Sequence, residues 1–530
     1  MSENSTFSDA VSKGRAAFMR HPVLILLILG LVIRALIMCT AVIYDSEYWA
    51  VVIRNIETGN GLYAADGYYY TPVWGYVLGL VAAFQDAVLS LGDSAVCVFE
   101  IIPTEGTILR NTCAVATSIA FNFCTKIPLV LIDLIMAYLV YVLVKDMGGS
   151  NEKAIFAFAL TWMSPVLLMS SGVVGMPDTL AATFAILSVI LVRRGQSFFA
   201  GLAFALGFLT KFFPLFLVFV LLAYLISKYK GDTRRILKEV ALAATGAVLA
   251  IVVIFLPQAL EGSLPLAFQF ITDRIGGVDM SQTKFLIIVA VGIVAVGVLV
   301  AIVLYVSNLL EKKRLSGKGK INRKLVSGIV AVMVVLIIAI IAVLFIKIQS
   351  AGSIDVVDSA VSLLRVVVYC FVLVLSILFA KYLYRSSAED LDRNLLKFSF
   401  LTMVSCMLYP PVTQYLCVVV PFLAYYIAMC DRKHMLSWKL VGVGSILVTF
   451  SRPTTLLPIA AWTDLIEVSS IVHLCDIFLT GSGAFILCYV IFAVGAVMQY
   501  FGILAVFWEM FGKKLVGKRF LKSADTSTTE

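Results

Sequence analysis

The sequence predicts an all-α fold, a polytopic transmembrane helical bundle, and three observations predict it. Apolar residues make up 61% of the 530, and charged ones only 14%, which excludes an ordinary soluble domain. The apolar residues come in repeated runs of about 20, each enough to cross ~30 Å of hydrocarbon at ~1.5 Å per residue. The basic residues gather between these runs: in the N-terminus, at Lys228–Lys238, at Lys312–Lys324, around Arg432-Lys433 and at Lys513–Lys522. That is the positive-inside signature of cytoplasmic loops, so the net charge of +9 reports topology and not nucleic-acid binding. The same loops offer a surface to anionic membrane lipids.

The elements follow in order. Residues 1–22 are a cytoplasmic N-terminus in which Lys13, Arg15 and Arg20 precede an uncleaved first span, Val23–Ile43. An outer loop over 44–125 carries Asp45, Glu47, Glu57, Asp66, Asp86, Asp93, Glu100 and Glu105 against only Arg54 and Arg110. Inside it, Pro72–Leu91 reads as an interfacial helix with its Tyr and Trp residues at headgroup depth, because a span there would end in an acidic cytoplasmic loop. Cys97 and Cys113 both fall in this loop, where a disulfide is feasible. The chain then alternates. Ile127–Val144 runs inward to Lys145–Lys153, Ala154–Val173 runs outward to Gly175-Met176-Pro177-Asp178, and Thr179–Val192 returns to Arg193-Arg194. Phe198–Thr210 and Phe212–Ile226 form a hairpin turning at Lys211 and Pro214. Further spans are expected near 239–258, 285–309, 325–348, 360–384, 396–409, 414–430, 439–458 and 481–511. In all, about 12–14 spans are expected, followed by a cytoplasmic tail over 512–530. No inverted repeat is visible, which counts against the common transporter architectures.

Charges at membrane depth are costly and therefore mark candidate functional positions. Here they are Arg34, Lys126, Asp133, Asp178, Lys211, Arg274, Arg365 and Arg452. Arg34, halfway along the first span, reads as the structural partner of an acid such as Asp133. Lys126 and Lys211 read either as snorkelling anchors or as anion ligands, and Asp178 either as a helix cap or as a site residue. Lys126, Asp178, Lys211 and Arg274 all fall at the outer ends of spans, on the same side as the pair Asp45 and Glu47. Carboxylates opposite cations suit a general base facing an anionic leaving group, for which phosphate is the obvious candidate. The three histidines are far apart, so no histidine-based metal site is visible.

Short motifs spread along the chain add a resemblance. They are Asp45-Ser46-Glu47-Tyr48 after the first span, Gly59-Asn60-Gly61-Leu62-Tyr63, Tyr70-Thr71-Pro72-Val73-Trp74-Gly75, and Lys126 with Asp133 in the second span. Ser164-Pro165, Pro177-Asp178-Thr179, Lys211-Phe212-Phe213-Pro214 and Thr413-Gln414-Tyr415-Leu416 follow. In this order, over residues 25–430, they resemble the GT-C superfamily of integral-membrane glycosyltransferases. Within it the chain looks most like the catalytic subunit of glycosylphosphatidylinositol mannosyltransferase I and related prokaryotic mannosyltransferases. Two departures stand out: the second acid is Glu47 where the motif has Asp, and the loop between Val73 and Lys126 is long. The resemblance implies a GT-C-like catalytic module over 23–258 and a C-terminal transmembrane module over 259–511. It also implies a hexosyltransferase, by family habit a mannosyltransferase, drawing on a polyprenyl- or dolichyl-phosphate sugar.

The acceptor would be lipid- or protein-linked, and the reaction would run at the outer or lumenal face with inversion, in a prokaryotic plasma membrane or the endoplasmic reticulum. On this reading Asp45 is the base and Glu47 its helper. Lys211 and Arg274, with Lys126 behind them, are the phosphate ligands, while Tyr70, Asp178, Gln414 and Tyr415 line the substrate site. No cofactor is required. A divalent metal between Asp45 and Glu47 is the less favoured alternative, because two acids make a weak site. The reading leaves room for an accessory subunit. Its rival is a secondary transporter or lipid flippase, which would place charges near the midplane and repeat its topology.

Overall fold

The computed structural model describes residues 21–41, 45–64, 68, 70–89, 119–268, 297, 299–308, 355–408, 412–430, 432–451, 455 and 483–512. Of these, 45–48, 85–89, 119–120, 355–367, 483–486 and 512 are described by backbone alone. The expectations for Cys97, Cys113, Arg274, Arg452 and the span near 325–348 lie outside the described residues. Among the described residues the chain is helical, with no strand.

Five helical stretches are long and apolar enough to cross a membrane: Pro22–Thr40, Phe121–Asp146, Asn151–Val174, Thr233–Leu260 and Leu487–Phe511. With shorter apolar helices between them, they make this an integral membrane protein built as an all-α polytopic bundle.

The chain divides into two compact units. The first comprises Met1–Leu215, Ala241–Gly277 and Pro410–Glu530, and the second Phe216–Val240 with Val278–Tyr409. The first unit holds α1 (Pro22–Thr40), α2 (Asp45–Glu57), α3 (Pro72–Leu89), α4 (Ile119–Asp146), α5 (Asn151–Trp162), α6 (Pro165–Met169), α7 (Asp178–Arg193) and α8 (Ser197–Thr210). The second holds α9 (Val218–Lys228). The helix α10 (Thr233–Leu260) starts in the second unit and ends in the first. The second unit continues with α11 (Asp355–Tyr384) and α12 (Leu391–Cys406). The first resumes with α13 (Val420–Met429), α14 (Met435–Phe450) and α15 (Gly483–Phe507).

Within the second unit, α9, α11 and α12 pack together. The Tyr224 hydroxyl donates to Asp392 Oδ1 at 2.7 Å, and the Phe379 and Phe398 rings stack with centroids 5.8 Å apart.

The expected helix over Pro72–Leu91 is present as α3, and the helices expected before and after Lys211 are present as α8 and α9. Ala154–Val173 is not one regular helix. Pro165 has no N–H to give the preceding turn, so α5 stops at Trp162 and the chain restarts at Ser164-Pro165. The second piece widens into a π segment, Ser170–Val174, and ends at Gly175 in the left-handed region, φ +69°. Glycine tolerates that conformation because it has no Cβ. The chain after α8 is irregular in a similar way. Lys211 is extended (φ −152°, ψ 139°), and the chain enters α9 through a tight 3-10 turn, Phe213–Leu217, that contains Pro214.

In hydrocarbon, helices gain little from apolar burial and associate through close packing, so small residues mark their contacts. The α8–α10 crossing shows this most sharply. A Cβ on Gly201 would stand 1.8 Å from the Ala243 carbonyl oxygen, and one on Gly246 would stand 2.0 Å from that of Phe198. Gly246→Val is therefore expected to push the helices apart at a cost of about 1–3 kcal/mol. Thermal unfolding in detergent would read this as a lowered midpoint, against an unchanged midpoint for Leu249→Val on the exposed face.

Candidate functional site

A buried ion pair underlies the site. Arg34 of α1 and Asp133 of α4 are both fully buried, and Arg34 Nη2 lies 2.9 Å from Asp133 Oδ2. Ser171 Oγ of the π segment stands 2.6 Å from the same oxygen, and the Thr179 hydroxyl of α7 donates to Oδ1 at 2.5 Å. The guanidinium lies 3.7 Å from the centre of the Trp162 ring, whose indole N–H donates to the Leu26 carbonyl at 2.9 Å. The pairing expected from sequence is present, and it ties α1, α4, α5, the π segment and α7 into one frame. Every polar atom of Asp133 is satisfied, which a charge at this depth requires.

Above that frame the ends of several elements converge. Asp178 opens α7, and Lys211 follows α8. Lys211 Nζ lies 3.6 Å from Asp178 Oδ2 and 3.3 Å from the Tyr70 hydroxyl. It also faces the Tyr70 and Tyr415 rings, 4.7 and 5.1 Å from their centres. Tyr415 sits in the 3-10 segment Thr413–Val418, with its ring edge-on to Phe213 at 5.0 Å. Four of the residues singled out in the sequence are thus brought together: Tyr70, Asp178, Lys211 and Tyr415. Asp178 does not cap α7 through its side chain, since the helix begins at Asp178 itself and Pro177 occupies the capping position.

Burial works against the Lys211 ammonium, but the facing Asp178 carboxylate and the two phenols outweigh it and hold its pKa above the ordinary lysine value. Burial raises the Tyr70 phenol, which the neighbouring ammonium only partly offsets.

Other elements hold this arrangement. Thr71 donates to the Leu209 carbonyl at 2.6 Å, bracing the last turn of α8 just before Lys211. The helix α2 turns Trp49, Val52 and Ile53 into the core, a spacing that defines one helical face. The Trp49 indole N–H donates to the Gly175 carbonyl at 3.0 Å, and its ring meets those of Tyr70 and Trp74 edge-on, at 5.6 Å each. These contacts fix the register of α2, whose first residue, Asp45, stands one turn before Trp49.

The remaining expectations are placed differently. Lys126 is fully buried and donates to the Ala41 carbonyl at 2.9 Å, at the end of the described part of the first span. It lies beside Gly175, where a Cβ would stand 3.7 Å from Lys126 Cε. Gln414 is half-buried beside Tyr415. Asp45 and Glu47 lie at the start of α2, described by backbone only, and Arg274 is outside the described residues. Among the described residues no group of three or more His, Cys, Asp or Glu could hold a metal ion.

Trp49, Thr71 and Met176 also belong to the site, the last accepting from the Tyr70 hydroxyl at 3.4 Å. Thr71 had a signal, since it interrupts the aromatic run before Pro72. Trp49 had one too, because an indole N–H placed in a core needs an acceptor.

At the far ends of α4 and α7, Arg193 and Arg194 both meet Asp146, at 2.8 and 2.6 Å. The basic loop ends expected from sequence thus gather at the opposite end of these helices from the Lys211 cluster.

Comparison with curated proteins returned no match. Residues 114–259 match the family model described as dolichyl-phosphate-mannose-protein mannosyltransferase. That segment contains Lys126, Asp133, Asp178 and Lys211, and it stops short of the 3-10 segment carrying Gln414 and Tyr415. The match supports the GT-C superfamily and, in general terms, a glycosyltransferase using a polyprenyl-phosphate sugar.

Proposed function

We propose that this protein transfers a hexose, mannose by family habit, from a polyprenyl- or dolichyl-phosphate donor to a lipid- or protein-linked acceptor at the outer or lumenal membrane face. The observation that carries the reading is the Lys211 cluster, a partly exposed cation between two tyrosine rings and a buried carboxylate at one end of the bundle. Such a cation offers a phosphate a charge-assisted hydrogen bond without first having to be ordered. Tyrosine rings with hydroxyls suit a sugar, which presents C–H faces to a ring and hydroxyls to polar atoms.

In the proposed reaction the acceptor hydroxyl loses its proton to Asp45 and its oxygen attacks the sugar's C1. The bond from C1 to the phosphate oxygen breaks, and the electron pair leaves with the lipid phosphate on the opposite face, so the anomeric centre inverts. Glu47 orients the acceptor. Lys211, joined by Arg274, receives the developing phosphate charge. Lys126 stands behind them and fastens the chain at Ala41, just before α2. Tyr70, Asp178, Gln414 and Tyr415 line the substrate site. Phosphate is already a good leaving group, so positioning and a cationic cradle carry most of the work, and the reaction is proposed to need no metal.

The test is transfer of radiolabelled sugar from dolichyl-phosphate mannose in membranes containing the protein, repeated with other polyprenyl-phosphate sugars. A wild type inactive with every such donor would overturn the reading. Lys211→Met keeps the length of the side chain and removes its charge. Losing a charged hydrogen bond of about 1.5–3 kcal/mol should lower kcat/KM for the donor about ten- to a hundredfold. An unchanged kcat/KM would remove Lys211 from the phosphate site.

A further inference from the structure

The polar residue Gln499 lies in the middle of α15, far in sequence from the site and outside the segment that matches the family model. It is fully buried. Its amide Nε2 lies 3.0 Å from Thr413 Oγ1 and 3.0 Å from Ser445 Oγ, so one side chain joins α15 to α14 and to the 3-10 segment Thr413–Val418. The Thr413 end of this bridge stands two residues before Tyr415, whose ring covers Lys211.

The bridge is held from behind by backbone. A Cβ on Gly444 of α14 would lie 2.5 Å from the Gly495 carbonyl oxygen and 2.8 Å from Gln499 Cγ. The two helices are therefore in backbone contact at the level of Gln499, which leaves its side chain little room to move. A buried primary amide in a helix otherwise this apolar is expensive, and although Oε1 has no partner, the two hydrogen bonds of Nε2 offset part of that cost. Here they hold the start of the segment that supplies one wall of the Lys211 cluster.

We infer that Gln499 is a positioning residue that sets the Thr413–Val418 segment, and through Tyr415 the shape of the Lys211 anion site, so that the C-terminal helix pair α14–α15 governs donor binding. The inference rests on the functional reading above for the identity of the donor, but its geometry does not.

The experiment compares wild type, Gln499→Leu, Thr413→Val and the double variant as purified full-length protein in detergent. Three measurements are made: binding of dolichyl phosphate, KM and kcat for the polyprenyl-phosphate sugar, and backbone amide exchange. Each single variant should raise the dissociation constant and donor KM about three- to tenfold, the size of one net hydrogen bond, with a smaller change in kcat and in acceptor KM. Exchange should rise in 413–419 and stay unchanged in α4, α5 and α7. The double variant should be no worse than the worse single one, because both residues act through one contact.

Additive losses would overturn the proposal, as would exchange rising throughout the protein. So would local exchange with unchanged donor binding, which would leave Gln499 a packing contact only. A wild type that neither binds dolichyl phosphate nor transfers sugar would refute the functional reading. The two failures are distinguishable because the exchange pattern measures the Gln499 contact whatever the reaction.

Discussion

Asp45→Asn is expected to lower sugar transfer by about two orders of magnitude or more while leaving the protein folded, the loss typical of removing a general base. Asparagine matches aspartate in size, so the change is conservative at the first residue of α2. The helix is in any case anchored one turn later by the Trp49 indole on the Gly175 carbonyl and by the edge-on rings of Tyr70 and Trp74. What asparagine cannot do is accept the acceptor's proton. The loss should therefore fall on kcat, with donor binding retained, whereas Lys211→Met should weaken donor binding as well. Transfer assays paired with dolichyl phosphate binding separate the two. Normal turnover by a folded Asp45→Asn protein would sink the base assignment. A loss confined to donor affinity would move Asp45 from base to binding residue.

The second large effect is on folding. Arg34→Leu leaves the Asp133 carboxylate buried with Ser171 and Thr179 but without its cation, and breaking a buried pair from one side costs about 3–5 kcal/mol. The variant is expected to yield little monodisperse protein and a sharply lowered unfolding midpoint. Its transfer activity per folded molecule should stay close to wild type, since neither residue belongs to the Lys211 cluster. The double replacement Arg34→Leu/Asp133→Leu removes both charges together and should recover much of the lost stability. A single variant as stable as wild type would show that the pair is dispensable to the frame. A well-folded Arg34→Leu protein without transfer would instead place Arg34 in the chemistry.

The bundle was legible in the sequence because bilayer thickness imposes an apolar run of nearly fixed length on every span, and such runs survive any choice of packing. Their interruptions were legible only in part. Ala154–Val173 reads as one span despite Pro165, and the π segment and the left-handed Gly175 that interrupt it depend on contacts with Trp49 and Asp133 that no local pattern encodes. The site shows the same division. Charged residues at membrane depth stand out because they are costly, which exposed Lys126, Asp133, Asp178 and Lys211, and the Arg34–Asp133 pairing followed from charge complementarity. Gln499 and Thr71 are uncharged and stand out less, although an isolated amide in an apolar helix carries a similar signal.

By itself the sequence determined that this is a helical membrane protein and that a few intramembrane charges need partners. Each of these follows from the cost of placing a polar group in hydrocarbon, and that cost is paid residue by residue. Only the tertiary structure decided which charges meet. It joined Lys211 to Asp178, Tyr70 and Tyr415, turned Lys126 onto the Ala41 carbonyl, and reached from α15 through Gln499 to Thr413. Contacts between helices distant in sequence depend on where their backbones cross, and in this bundle close-packed small residues such as Gly201, Gly246, Gly444 and Gly495 fix those crossings.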